Sequence, residues 1–215
     1  MDKNIKLERI FSSLNHDKYK YLKIDTESLM YVTNFKDSND ICNIICYHIN
    51  KIKIPSECLI VDSTGGIGGD TITFAKKFLQ VISIEKDNTR FEFLKNNINI
   101  YELNNVIDIN SDFILLLPLL SNIDIIYIDP PWGGKSYKNK HNMHIYINNI
   151  ELEKIIKNLL SKDLMLSLPK IIAIKLPKNY DIQYLFDQIN DTFSNIIYIY
   201  ELNKMFIIII ENFIL

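Results

Sequence analysis

Ile125-Ile126-Tyr127-Ile128-Asp129-Pro130-Pro131-Trp132-Gly133-Gly134 is the stretch that decides the fold. An apolar run rich in β-branched residues stops at a carboxylate, two prolines, the single tryptophan of the chain and two of its six glycines. That pattern is a buried strand whose end carries a rigid aromatic platform. The other four glycines, Gly65, Gly66, Gly68 and Gly69, follow a second apolar run. In a chain so sparing of glycine, these positions call for positive φ or for backbone passing very close to a ligand. Two such loops, each behind an apolar strand, read as two halves of one site.

Outward from these loops, strands and helices alternate. Cys58 to Val61 reads as the first strand, with the glycine loop and a helix from Asp70 to Phe78 behind it. Val81 to Ile84 is the second strand, ending in Glu85, and Asn88 to Tyr101 its helix. Val106 to Ile109 is the third, after which Asp112 opens a short helix. Ile125 to Ile128 is the fourth; a long polar loop from Gly133 to Tyr146 and a helix from Ile150 to Leu160 follow. Lys170 to Leu176 is the fifth, Asp181 caps a helix to Ile189, and Asn195 to Tyr200 with Met205 to Ile210 close the sheet. Strands apolar throughout are buried on both faces, so the expected fold is a doubly wound, Rossmann-like α/β sheet of seven mostly parallel strands, with ligands at the strands' carboxyl ends.

Ahead of this core, Leu7, Ile10, Phe11 and Leu14 fall on one face of a short helix spanning Asn4 to Leu14. Leu29 to Thr33 reads as extended. Ser38 is expected to cap a helix carrying Ile41, Ile44, Ile45 and Ile49, which Pro55 stops. The division predicted is a small helical extension over residues 1–54 and a catalytic domain over 55–215.

With 24 basic and 26 acidic residues, a net charge of -2 denies the chain the broad positive surface of a duplex-DNA binder. The three cysteines, Cys42, Cys46 and Cys58, lack a second ligand pair at metal spacing and read as buried thiols in a reducing compartment. No metal is expected. Met1 to Ile10 lacks a signal-type apolar core, and runs such as Phe113 to Leu120 fall short of the roughly 20 residues that span a bilayer. An intracellular protein acting in nucleus or cytoplasm, without membrane partners and monomeric, is the expectation. Heavy use of Ile, Asn and Lys points to an AT-rich genome and suits a parasitic protist or a large DNA virus.

The chemistry lies at strand ends. Asp62 ends the first strand, and Gly66 and Gly68 match the first half of a dinucleotide fingerprint, but Thr71 stands where its last glycine would be. An acid before the loop suits a cationic ligand better than a pyrophosphate. Glu85 is placed to accept both hydroxyls of a ribose, and Asp112 to meet an adenine amino group. Three acids on three strand ends suit S-adenosylmethionine. Asp129-Pro130-Pro131-Trp132 is similar to the [DNS]-P-P-[YFW] motif of amino-methyltransferases: acceptors at Asp129 and Pro130 hold the N–H groups of a poorly nucleophilic exocyclic amine, and the aromatic stacks on its ring.

With Gly133-Gly134 and Tyr137 added, and Asp62, Gly66, Gly68 and Gly69 upstream, the chain resembles the trimethylguanosine synthases, class I methyltransferases acting on guanine N2 of the 7-methylguanosine RNA cap. Ile10-Phe11-Ser12, Leu22-Lys23-Ile24-Asp25, Tyr31-Val32-Thr33, Lys95-Asn96-Asn97 and Leu176-Pro177-Lys178-Asn179 extend the likeness over most of the chain. The resemblance implies that Asp62 and Glu85 bind the cofactor's methionyl and ribose parts and Asp112 its adenine. It implies that Phe11 and Thr33 close over it, that Trp132 stacks on the 7-methylguanine, and that Tyr137, Lys178 and Asn97 touch the cap, the first two at its phosphates. A cationic base over an indole face gains roughly 0.5 to 2 kcal/mol. Asp129 stands where many members have Ser, and Lys178 where Arg is expected, which replaces a bidentate phosphate contact by a point charge. Lys135, Lys138, Lys140, His141 and His144 could add local positive field or form a solvated loop. The alternatives are a methyltransferase for another planar amine (ribosomal RNA guanine N2, adenine N6 or protein glutamine) and a non-catalytic cap-binding relative.

Overall fold

Short helices lead into the first strand. The computed structural model describes residues 3–190 and 195–212 and, within them, every side chain but those of residues 3–6, Leu117, Lys135 and Asn190. The chain divides into two units, Met1–Phe113 and Ile114–Leu215.

The first unit opens with α1 (Lys3–Ile10), α2 (Ser28–Tyr31) and α3 (Phe35–Ile49). Leu7, Ile10 and Phe11 pack in one buried cluster with Tyr19, Leu22, Ile67 and Ile72, which fastens the leading segment to the glycine loop and the helix behind it. Two local expectations are corrected. Leu29–Tyr31 is helical and the chain becomes extended only at Val32, because the Asp25 carboxylate accepts from the Ser28 N–H at 2.6 Å and starts the single turn of α2. That N–H, the foremost influence on the group, holds the Asp25 carboxyl below its ordinary range. Ser38 is not the cap of α3: Asn34 accepts from the Asp37 N–H at 3.0 Å and begins the helix a turn earlier, leaving Ser38 buried inside it.

β1 (Leu59–Asp62), α4 (Gly69–Ala75), β2 (Gln80–Glu85), α5 (Asn88–Ile100) and β3 (Val106–Asn110) complete this unit. β2 runs parallel to both β1 and β3, with Asp62 opposite Ser83 and Glu85 opposite Asn110, so the carboxyl ends of the three strands share one edge.

The second unit holds β4 (Ile125–Ile128), the short strands β5 (Tyr146–Ile147) and β6 (Ile150–Glu151), α7 (Leu152–Leu160), β7 (Ile171–Pro177), α8 (Ile182–Asn190), β8 (Ile196–Glu201) and β9 (Met205–Glu211). A short helix α6 (Phe113–Leu116) precedes them at the boundary. The predicted polar loop contains a 3-10 turn, Gly134–Asn139, and runs into the β5–β6 hairpin; Asn148 and Asn149, at φ 52° and 62°, form its tight turn and delay α7 from Ile150 to Leu152. β4 and β7 pair in parallel and are buried along their whole length, each isoleucine contributing about 1.5–3 kcal/mol of apolar burial. β9 runs antiparallel to β7 and to β8. The sheet is seven-stranded and mostly parallel, in the order β3-β2-β1-β4-β7-β9-β8, as expected of a Rossmann-like fold.

Candidate active site

In the first unit the glycine loop is held by its own strand ends. The Glu85 carboxylate accepts from the Gly66 N–H at 2.8 Å and from the Asp87 N–H at 2.7 Å. Burial, the largest influence, pushes its carboxyl above the ordinary range, while those two donors pull the other way. Asp62, buried, accepts from the Thr71 hydroxyl at 2.5 Å, and that hydroxyl lies 2.8 Å from Ser83 Oγ. Thr71 therefore holds Asp62 in place, which is the use of a hydroxyl where a dinucleotide fingerprint has glycine. Gly68, at φ 97°, begins α4 in a left-handed conformation, and a Cβ on Gly65 would stand 2.3 Å from Ser83 Oγ. Asp112 pairs at 2.9 Å with Lys86, whose side chain is mostly exposed, a contact of the kind water readily replaces.

These residues of the first unit fit a nucleoside with a positive centre. A Cβ on Gly66 would meet only Thr64 O, at 4.0 Å, so the loop is open there. Each Glu85 oxygen keeps acceptor capacity beyond its one backbone donor. Asp62, Glu85 and Asp112 supply carboxylates, which repel a pyrophosphate and attract a cation.

Thr33 donates to Asp70 Oδ2 at 2.6 Å, and a Cβ on Gly69 would come within 2.8 Å of Val32 and 3.0 Å of the Thr33 carbonyl. The leading segment thus lies directly on the first turn of α4. Phe11 belongs to the core cluster that includes Ile67 of the loop. Asn97 is a correction. It is 0% exposed, accepts from the Lys23 N–H at 2.8 Å, and donates to the carbonyls of Lys23 and Ile67, both at 2.9 Å. A buried amide so engaged clamps the chain to the loop and has no surface left with which to touch a cap.

In the second unit, β4 delivers Asp129, a buried Pro130, an exposed Pro131 and a half-buried Trp132. Tyr137 meets the Trp132 ring edge-on, with centroids 5.2 Å apart at 74°. Asn179 donates to the carbonyls of Tyr137 and Lys140, both at 2.7 Å, and its own carbonyl accepts from the Met143 N–H at 2.9 Å. Lys178 pairs with exposed Glu201 at 2.6 Å. Of the predicted basic run, the Lys135 side chain lies outside those described; Lys138, Lys140 and His141 are exposed, and His144 lies between Glu151 and Asp181 at 3.6 and 3.7 Å.

Lys175 is the residue that sequence reading passed over. Ile128 pairs with Ile174 across β4 and β7, which brings the next residues, Asp129 and Lys175, side by side. Lys175 Nζ lies 2.6 Å from Asp129 Oδ2 and 5.6 Å from the Trp132 ring centroid, and its carbonyl accepts from Trp132 Nε1 at 3.4 Å. Its signal was present: a lone lysine within Ile171-Ile172-Ala173-Ile174-Lys175-Leu176-Pro177, an otherwise apolar buried strand, requires a partner.

Among the described residues, no helix is long and apolar enough to cross a membrane. Residues 57–211 match the family described as RNA cap guanine-N2 methyltransferase. An uncharacterised protein of Acanthamoeba polyphaga mimivirus is 31% identical over 95% of this chain and 84% of its own length, in keeping with the viral source that composition suits. Trimethylguanosine synthase of Schizosaccharomyces pombe is 34% identical over 59% of this chain and 53% of its own length. Ribosomal RNA small subunit methyltransferase J of Francisella philomiragia is 30% identical over 79% of this chain and 75% of its own. Precorrin-6y C5,15-methyltransferase from Geobacter metallireducens has the same fold, with a TM-score of 0.60 at 13% identity over 89% of this chain and 94% of that one. A Streptococcus mutans protein solved with SAH matches at a TM-score of 0.56 and 13% identity, over 88% and 99%. Carboxylates on three strand ends around a glycine loop, an Asp-Pro-Pro-Trp strand end and a sequence match across most of the chain lead to one conclusion: this chain belongs to the RNA cap guanine-N2 methyltransferase family and is an S-adenosylmethionine-dependent methyltransferase of class I fold.

Proposed function

We propose that the enzyme adds methyl groups to the exocyclic N2 of the 7-methylguanosine RNA cap, giving a di- or trimethylguanosine cap. The observation that carries this reading is Trp132, set directly after Asp129-Pro130-Pro131 and braced by Tyr137 and Lys175, in a chain of this family. The bound cofactor supplies an electrophilic methyl group. Glu85 holds its ribose hydroxyls, Asp112 its adenine amine, and Asp62 keeps the loop of Gly66 and Gly68 in place for its methionyl part. Phe11 and Thr33, from the extension over residues 1–54, brace that loop and the start of α4.

Asp129 and the Pro130 carbonyl accept from the guanine N2 amine, which orients a delocalised lone pair that would otherwise be a poor nucleophile. Trp132 stacks on the base, and a cationic 7-methylguanine gains more from the indole face than a neutral guanine does. Tyr137 and Lys178 lie toward the cap phosphates. After transfer the amine proton leaves to Asp129 or to solvent.

A second reading, a planar amine in ribosomal RNA, is favoured by the likeness to the Francisella enzyme. Mass spectrometry of a cap dinucleotide incubated with enzyme and cofactor, beside the same dinucleotide lacking the 7-methyl group, separates the two. One or two methyls gained on the 7-methylated substrate alone are expected. No gain on either, with cofactor binding intact, overturns the cap reading. Trp132→Ala is expected to abolish cap binding and to keep cofactor affinity.

A further inference from the structure

Trp132 does not stand alone at the end of β4. A buried ammonium on β7 lies near its ring, and a carboxylate immediately after β4 neutralises that ammonium. Lys175 is 3% exposed, and in its ion pair the Asp129 side chain is 20% exposed. The last pair of the β4–β7 register, Ile128 and Ile174, brings the two following residues together, so their contact is set by the sheet. Nζ of Lys175 lies over the indole at 5.6 Å while its carbonyl accepts from the indole N–H.

This arrangement has an electrostatic consequence. An indole attracts a cation through the negative charge on its faces, and a cation already near the ring repels a second one stacked upon it. Here the resident ammonium has a carboxylate at 2.6 Å, which cancels most of its field beyond the pair. We infer that Asp129 and Lys175 act as one charge-balanced pair that sets how strongly Trp132 prefers a cationic, 7-methylated guanine to a neutral one. This rests on the cap reading and adds a specificity role to Asp129 and a positioning role to Lys175. Beside Lys175, a neutral residue at position 129 would leave the ammonium's field on the ring.

Removing one charge therefore acts in opposite directions. Asp129→Asn keeps shape and one acceptor, so both nucleotides lose the same carboxylate contact at N2, but it leaves the ammonium's charge under the ring, so affinity for 7-methyl-GTP falls further than affinity for GTP. Lys175→Met leaves the carboxylate's charge, which favours the cationic base, while Asp129 loses the partner that fixes its position and turnover falls. The double variant Asp129→Asn/Lys175→Met restores a neutral surround.

Trp132 is the chain's single tryptophan, so quenching of intrinsic fluorescence reads ligand binding at this ring. The test titrates 7-methyl-GTP and GTP into the wild type, both single variants and the double variant, with S-adenosylmethionine calorimetry on each to establish that it is folded. The expected result is a preference for 7-methyl-GTP that drops about tenfold in Asp129→Asn, in the range of a cation–π contribution, is kept or raised in Lys175→Met, and returns in the double variant. Equal loss of both nucleotides in Asp129→Asn, or a double variant as poor as that single one, overturns the inference. A wild type that does not distinguish the nucleotides overturns the cap reading and this inference with it; a wild type that distinguishes them beside an Asp129→Asn that still does overturns the inference alone. Thermal unfolding of the four proteins tests the pair without any nucleotide: the double variant is expected to lose less Tm than the two single losses combined, and strictly additive losses count against the pair.

Discussion

Asn97 Nδ2 donates to the Ile67 carbonyl at 2.9 Å, so a fully buried amide on α5 holds the glycine loop from within the fold. Through Lys23 N–H and C=O the same side chain also holds the leading segment. Asn97→Ala leaves these backbone groups unmatched in the interior. Unfolding measurements are expected to show a loss of about 1–3 kcal/mol, the cost of leaving a buried polar group unmatched, with weaker cofactor binding. A variant with wild-type stability would refute the clamp.

With Glu85 as the proposed ribose acceptor, cofactor binding is expected to depend on pH. Its folded-state pKa is raised, so between the ordinary carboxylate range and that raised value the native protein carries more protons than the unfolded chain, and its contribution to stability falls as pH rises through that window. Cofactor binding is expected to have the opposite sign, because the proposed ribose contact needs the carboxylate. Calorimetry from pH 7 downward is expected to show S-adenosylmethionine affinity falling as Glu85 protonates. Glu85→Gln lowers affinity at neutral pH and flattens this dependence.

Gly65 and Gly66 differ in what a methyl group would meet. At Gly65 a Cβ would lie 2.3 Å from the Ser83 hydroxyl that contacts Thr71, so Gly65→Ala disturbs the support of Asp62. At Gly66 there is space but a φ of 55°, and Gly66→Ala carries about 1–2 kcal/mol of backbone strain alone. Thermal denaturation is expected to rank Gly65→Ala as the more harmful of the two.

Asn179 fastens the segment that carries Tyr137 by two side-chain hydrogen bonds. Asn179→Ala is expected to lower stability by about 1–3 kcal/mol, from roughly 0.5–1.5 kcal/mol per bond. Quenching of Trp132 by a cap analogue should weaken several-fold while cofactor affinity stays unchanged. Loss of cofactor affinity as well would mean that the segment has a wider structural role.

Strands, glycine loops and the acids at strand ends were legible in the sequence because the signals are local. An apolar run ending at Asp129-Pro130-Pro131 is a strand end wherever it lies, and the β4 bounds match. Helix starts were less legible, because Asn34 and Ser38 are both competent caps and the choice depends on what packs against α3. Asn97 was misjudged for a related reason: an exposed amide and a buried clamp look alike in sequence, and the difference is the set of backbone groups folded around it.

Sequence by itself determined the class of the protein, its cofactor and the residues offered at each strand end, because hydrophobic period and motif spacing are written along the chain. Tertiary structure alone decided which of those residues are braced and by what. Thr71 under Asp62, Asn179 behind Tyr137 and Lys175 beside Asp129 are joined by hydrogen bonds between segments that share no local pattern. Lys175 lies 46 residues from Asp129 in the chain, and only the parallel register of β4 and β7 makes them neighbours.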